Sequence, residues 1–280
     1  MMGGDSARAL KSYRQGQVRL EHLVASDPQN AQVGVELANT YAKVGHALSQ
    51  QGNSSAAITM FAKARATLEP MARGPQHTEA RSGLACTHIW TGELLARRGK
   101  ISEALEHYRK GAADYLSMVT QLPWDRYDQA ALAASHGRIG DMLLKQRRTS
   151  EAATQYQTAL EIAKRLALAK PSVLPWYTVA DAYFGLGELS RISALQARTP
   201  DERRQHWSEA RSWYQQSADS RRQIPNPGVV TSAGFEAANP TQAIHALAQC
   251  DAEITKLPTS QKRESTPTPD GDILVRPATP

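Results

Sequence analysis

Eight histidines and two cysteines are the residues with which this 280-residue chain could hold a metal or move protons. Their spacing argues against both. His88 and His136 occupy one recurring position that is filled elsewhere by Tyr41 and Tyr183, which marks them as packing residues. Cys86 and His88 stand two apart in a helical pattern and so point to different faces, where they cannot chelate one ion together. Cys250 reads as a small apolar residue, and two cysteines build neither a disulfide framework nor a four-ligand zinc site. No Ser/His/Asp grouping, His-Glu-x-x-His or phosphate loop is present; Gly185-Leu186-Gly187 is half of a glycine-rich loop without its third glycine. The expectation is a non-enzyme without metal or cofactor.

A second chemistry is phosphate binding. Arg191, Arg198, Arg203, Arg204, Arg211, Arg221 and Arg222 make residues 191–222 basic, and the chain carries a formal charge of +6. A nucleic-acid or phosphate site there is the alternative reading, although aromatic interleaving is limited to Trp207 and Trp213. The common expectation for such arginines is a solvated helix face.

The elements that would position these groups follow from an internal repeat. Gly45, Gly92, Gly140 and Gly187 are spaced by 47, 48 and 47 residues. Eight residues before them stand Leu37, Leu84, Leu132 and Val179, and four before stand Tyr41, His88, His136 and Tyr183; His46, Glu93, Asp141 and Glu188 follow each glycine directly. Twelve residues after the first three glycines come Ala57, Ala104 and Ala152, then Phe61, Tyr108 and Tyr156, then Ala64, Gly111 and Ala159. Ala210, Tyr214 and Ser217 continue the series after an 11-residue insertion, and Ala9, Tyr13 and Gly16 begin it without a preceding glycine helix. A glycine inside a helix costs about 1 kcal/mol relative to alanine, so four in register imply a close crossing by a neighbouring helix.

Polar breaks at 51–54, 98–100 and 147–150 divide each unit into two helices of roughly 20 residues, and Pro28, Pro75, Pro123 and Pro171 mark the ends of second helices. Thr199-Pro200-Asp201-Glu202 reads as a capping box that opens the last second helix, so the insertion lengthens both helices of that pair. The expected organisation is an orphan second helix over 1–28, repeats at 29–76, 77–125, 126–172 and 173–224, a connector and capping helix over 225–257, and a disordered tail over 258–280. Gly4-Asp5-Ser6 resembles the interior break of a repeat, so either the protein begins with an orphan helix or the chain is a piece of a longer array, and the piece is the expectation. No apolar run spans a membrane and no secretory signal is evident, so a cytoplasmic location is expected.

The order aromatic, Gly, Ala, aromatic, small, with intervals of 12, 4 and 3 from the glycine onward, resembles the tetratricopeptide repeat. That resemblance implies an all-α right-handed superhelical solenoid of antiparallel helix pairs with a C-terminal cap, and a protein–protein interaction scaffold. The period exceeds that family's 34 residues. A looser similarity, to the repeat arrays that follow bacterial serine/threonine protein kinases, implies a regulatory region of a bacterial signalling protein. The family's ligands contact the position after the glycine and those three and six before it. Here those include Asn39, His46, Ile89, Glu93, Asp141, Asp181, Phe184 and Glu188. The expectation is an acidic concave stripe, with Ile89 and Phe184 as apolar anchors, that binds a basic or amphipathic protein segment.

Overall fold

A computed structural model describes residues 3–73, 78–170, 172–224 and 240–258. It contains α1 (Gly3–Ser26), α2 (Ala31–Gln50), α3 (Ser54–Met71), α4 (Thr78–Arg97), α5 (Ile101–Gln121), α6 (Arg126–Lys145), α7 (Thr149–Ala169), α8 (Val173–Gln196), α9 (Pro200–Arg222) and α10 (Pro240–Lys256), with no strand among the described residues. Each helix packs on its neighbours in sequence, and the tightest partners are the pairs α2–α3, α4–α5, α6–α7 and α8–α9. The chain is the expected all-α solenoid of antiparallel helix pairs, with α10 covering α9. Its hydrophobic core is distributed: among the described residues, successive clusters run from α1 to α10 rather than around one centre. Pro75, Pro171, the connector 225–239 and the tail from 259 lie outside the described residues.

The recurring glycines have a direct steric cause. A Cβ added at Gly45 would lie 2.8 Å from the Phe61 ring, and at Gly92, Gly140 and Gly187 it would lie 2.8, 2.7 and 2.6 Å from the rings of Tyr108, Tyr156 and Tyr214. Carbon atoms pack at about 3.5–4.0 Å, so any larger residue collides. The aromatic of the second helix rests on the glycine of the first, and all four rings are essentially buried. On α1 the equivalent Tyr13 is 36% exposed, and a Cβ added at Gly16 would meet nothing within 4 Å.

The turns are equally regular. Gly52, Gly99 and Arg147, each seven residues after a repeat glycine, adopt φ of 80°, 74° and 61°. Asn53, Lys100 and Arg148 then donate back to the carbonyls of Leu48, Leu95 and Leu143, which satisfies the open end of the first helix. In the last pair Thr199 accepts from the Glu202 amide and Glu202 accepts from the Thr199 amide, with Pro200 at the first position. The insertion divides cleanly. α8 ends nine residues after its glycine instead of five, and α9 starts ten residues before Ala210 instead of three. Both helices are lengthened, as the capping box requires.

The first helices line one side of the array. α2 packs on α4 and α6 on α8, whereas α4 and α6 barely touch. That gap leaves room for a cleft.

Candidate functional site

The gap on the first-helix side opens into a cleft of about 470 Å³. α4 contributes Glu93 and Arg97, α6 contributes Arg138, Asp141, Met142 and Lys145, and α8 contributes Phe184, Gly185 and Glu188. Tyr108 and Tyr156 reach its floor from α5 and α7. Four of the residues expected from sequence therefore meet here: Glu93, Asp141, Phe184 and Glu188. The acid that follows the glycine repeats along one helical face, which is why the array collects three of them.

They do not form an acidic stripe. Three carboxylates line the cleft, and so do three cations, Arg97, Arg138 and Lys145. Tyr156 donates its hydroxyl to Asp141 Oδ1 at 2.8 Å, and Arg138 lies 3.8 Å from Oδ2. Tyr214 donates to Glu188 Oε1 at 2.6 Å while Arg191 donates to Oε2 at 2.7 Å. Asp181 accepts from Arg221 at 2.8 Å, a guanidinium whose side chain is 8% exposed. Glu93 is buried, and its charge supports the Arg138 cation together with Asp141 and Asp181. The solenoid's own tyrosines and arginines engage these acids from within, so the stripe expected of them is corrected to a mixed-charge network.

Crowding by the groove pushes the Asp141 carboxyl up from its ordinary range, against the pull of Arg138 and Tyr156, although 41% of the side chain still meets water. Burial likewise raises Asp181, to about 6, with Arg138 and Arg221 opposing.

The other expected residues are placed elsewhere. Ile89 is 2% exposed and packs against Gly111 in the interhelix core, so it is not an anchor offered to a partner. Asn39 lies against Gly83 of α4. His46 stacks on Trp90 with ring centroids 4.8 Å apart. Phe184 is half-buried and tilts against Tyr214 at 5.2 Å.

The histidines do pack. His136 Nδ1 lies 2.7 Å from Gln155 Oε1. His88 Nδ1 lies 3.0 Å from His107 Nδ1, a pairing that sequence reading missed. It is legible in retrospect, because His107 and Gln155 both follow their partner histidine by 19 residues. Cys86 Sγ is 2.9 Å from the Tyr115 hydroxyl, and burial raises its pKa, which suits a packed thiol. Among the described residues no group of His, Cys, Asp and Glu could hold a metal, and no helix is long and apolar enough to cross a membrane.

The arginines of the last unit are largely engaged inside the chain. Arg211 pairs with Asp251 at 2.6 Å and Arg222 with Asp219 at 2.8 Å, and Arg203 donates to the Ala197 carbonyl. Arg204 donates to the carbonyls of Ile254, Leu257 and Pro258 at the end of α10. Arg221 ties α9 to Asp181 of α8, and Arg204 and Arg211 tie α9 to α10, whereas Arg191–Glu188 and Arg222–Asp219 are pairs within one helix. Trp207 is buried and Trp213 stacks on Tyr183, so neither offers a base-stacking platform.

Neither a protein-family model nor a curated protein matches the sequence. Solved structures do. BtubC (BKLC) from P. vanneervenii aligns at a TM-score of 0.52 and 17% identity, over 93% of this chain and 96% of that one. The likeness is one of fold. Yeast Tom70 aligns at a TM-score of 0.25 and 13% identity, over 89% of this chain and 60% of that one.

The charged residues of the cleft that sequence reading missed are Arg97, Arg138 and Lys145. A signal existed: Arg97 and Lys145 each follow a groove acid by four residues, and Arg138 precedes Asp141 by three. Both intervals keep a pair on one helical face.

Proposed function

We propose that the chain is a non-enzymatic scaffold that holds a segment of a partner protein in the groove of α4, α6 and α8. The observation that carries this is the cleft itself: concave, about 470 Å³, within the range of sites that enclose a side-chain cluster or small ligand. Half-buried Phe184 supplies its apolar surface, and charges fixed on three successive first helices surround it. Rigid helices position these groups more firmly than loops would, while the engaged arginines of α9 leave little support for a nucleic-acid surface. A regulatory place beside a bacterial signalling kinase rests on the sequence resemblance alone.

The test is photo-crosslinking with benzoylphenylalanine in place of Lys145 at the cleft mouth, or of Arg109 on α5 outside the cleft. A product formed from position 145, absent from position 109 and lost on Phe184→Ala is the expected result. Equal yields from both positions, or indifference to Phe184, would refute the proposal.

A further inference from the structure

The row of side chains that each second helix buries against its first helix is also present on α1. In α5 that row is Ala104, Tyr108, Gly111, Tyr115 and Met118, with Tyr108 only 2% and Met118 only 1% exposed. The same intervals of 4, 3, 4 and 3 residues give Ala9, Tyr13, Gly16, Leu20 and Leu23 on α1. α1 packs on α2 as α5 packs on α6, yet Tyr13 is 36% and Leu23 53% exposed, and the space at Gly16 is open. This face has the ring and the apolar residues that elsewhere lie on the small-residue side of an antiparallel first helix, and α2 does not cover it.

A helix with such a side uncovered stands at the other end of the array. α10 packs on α9 as α8 packs on α7. Cys250 is buried in the cluster that holds the Tyr214 ring, as Gly185 of α8 lies against the ring of Tyr156. Gly185 stands two residues before the repeat glycine and six after Val179. The same offsets from Cys250 put Ala252 in the place of the glycine and Ile244 in that of Val179. Val179 is 1% exposed and Ile244 60%, and Ala248 and Ala252 on the same side are exposed too.

We infer that two copies of this chain associate head to tail, with α10 of one copy lying antiparallel along α1 of the next. Each end carries what the other lacks: α1 is a second helix whose first-helix side is open, and α10 is a first helix whose second-helix side is open. In register, the Tyr13 ring rests over Ala252, and Leu20 and Leu23 lie toward Ile244. The Ala252 methyl keeps the ring further out than a glycine would, so the junction is a looser contact than a hairpin within the chain. Charge favours it: α1 carries four Lys and Arg against two acids, and α10 two acids against one lysine. The two faces differ, so the contact is heterologous and repeats from copy to copy. It uses no residue of the cleft, and it stands or falls independently of the groove.

Sedimentation velocity of the full chain over a concentration series provides the test. The unmodified chain is expected to rise in mass with concentration past that of a dimer. Leu23→Lys blocks the α1 face and Ile244→Lys the α10 face, each by setting a charge in the apolar junction, and each should weaken association by about tenfold or more. Both positions are exposed, and circular dichroism checks that the helices persist. Each variant alone therefore stays monomeric where the unmodified chain associates. An equal mixture retains one free α10 and one free α1, and forms a dimer and nothing larger. Gly16→Arg and Ala248→Arg, placed in open space and at an exposed site, repeat the experiment on the same two faces and give the same pattern. An unmodified chain that is monomeric throughout, or either lysine variant associating as readily as the unmodified chain, overturns the proposal. So does a mixture of the two that stays monomeric or grows past a dimer.

Discussion

Gly137 and Gly140 sit three residues apart on α6 and form a controlled pair for the steric account of the repeat. Replacing either by alanine recovers about 0.5–1 kcal/mol of helix propensity. At Gly137 the new methyl meets nothing within 4 Å, so the whole gain should appear as added stability. At Gly140 it would stand 2.7 Å from Cε1, 2.9 Å from Cδ1 and 3.1 Å from Cζ of Tyr156, short of ordinary carbon contact by roughly 0.5–1 Å. The ring cannot retreat. Its far side rests against Gly185 of α8, where a Cβ would lie 2.4 Å from Cζ, and its hydroxyl is held by Asp141 at 2.8 Å. Relief therefore requires α6 and α8 to part. Overpacking of this kind costs about 1–3 kcal/mol, and after the propensity gain Gly140→Ala should destabilise by about 1–2 kcal/mol.

The two substitutions are thus expected to differ in sign, which a general preference for alanine in helices cannot produce. Urea unfolding followed by far-ultraviolet circular dichroism measures both midpoints, with the slope checked for constancy. A Tyr156→Leu background removes the ring, and there Gly140→Ala should lose its penalty, a coupling of about 1–2 kcal/mol between contacting residues. If Gly140→Ala raises the midpoint as much as Gly137→Ala does, the close-crossing explanation of the repeat is wrong.

Arg147 holds the left-handed turn position that glycine fills in the first two units, so Arg147→Gly should stabilise by about 0.5–1 kcal/mol in a thermal melt; an unchanged or lower Tm counts against the argument. Burial drives the pKa of His88 down to about 3 and that of His107 down to about 4; for His88 the neighbouring His107 adds to this, Arg65 and Lys110 act on both, and Glu106 opposes. Both rings are therefore neutral in the fold and charge more readily when unfolded, near the ordinary value of about 6.5. Their contribution is whole above that pH and is lost as pH falls toward 4, so His107→Gln, which copies the Gln155 of the next unit, should flatten the fall of Tm between those limits. An unchanged slope would assign the acid sensitivity to other groups. Arg204→Ala removes the donor to the last carbonyls of α10, and hydrogen exchange should quicken at Ile254–Lys256 while α3 is unaffected.

The architecture was readable because each contact that defines it is recorded twice in the sequence, by a small residue on one helix and a ring on the next. Gly140 and Tyr156 are 16 residues apart, as their counterparts are in every ordinary unit, so repetition exposed a tertiary contact as a spacing. Even the 11-residue insertion was legible, since Thr199-Pro200-Asp201-Glu202 fixed where the second helix had to begin. The charge network was not. Asp181 and Arg221 are 40 residues apart, and no periodicity joins them; whether an acid is offered or engaged depends on which cation the fold brings across.

That difference bears on where specificity can reside in such an array. The position after the glycine looks like the site of choice, because it lines the cleft in the second, third and fourth units. In the third and fourth units, however, it accepts the hydroxyl of the very tyrosine that packs on the glycine. The acid there locks the hairpin, and a residue bound to that task cannot vary freely with the partner. The position four residues on lies a helical turn away from that ring. It is Gln50, Arg97, Lys145 and Ile192 in the four units, an amide, two cations of different shape and an aliphatic, and of these Arg97 and Lys145 line the cleft. The repeat thus sets two rows one helical turn apart: in the third and fourth units the residue beside the glycine is bonded to the ring of its own pair, and the row four residues on differs in every unit.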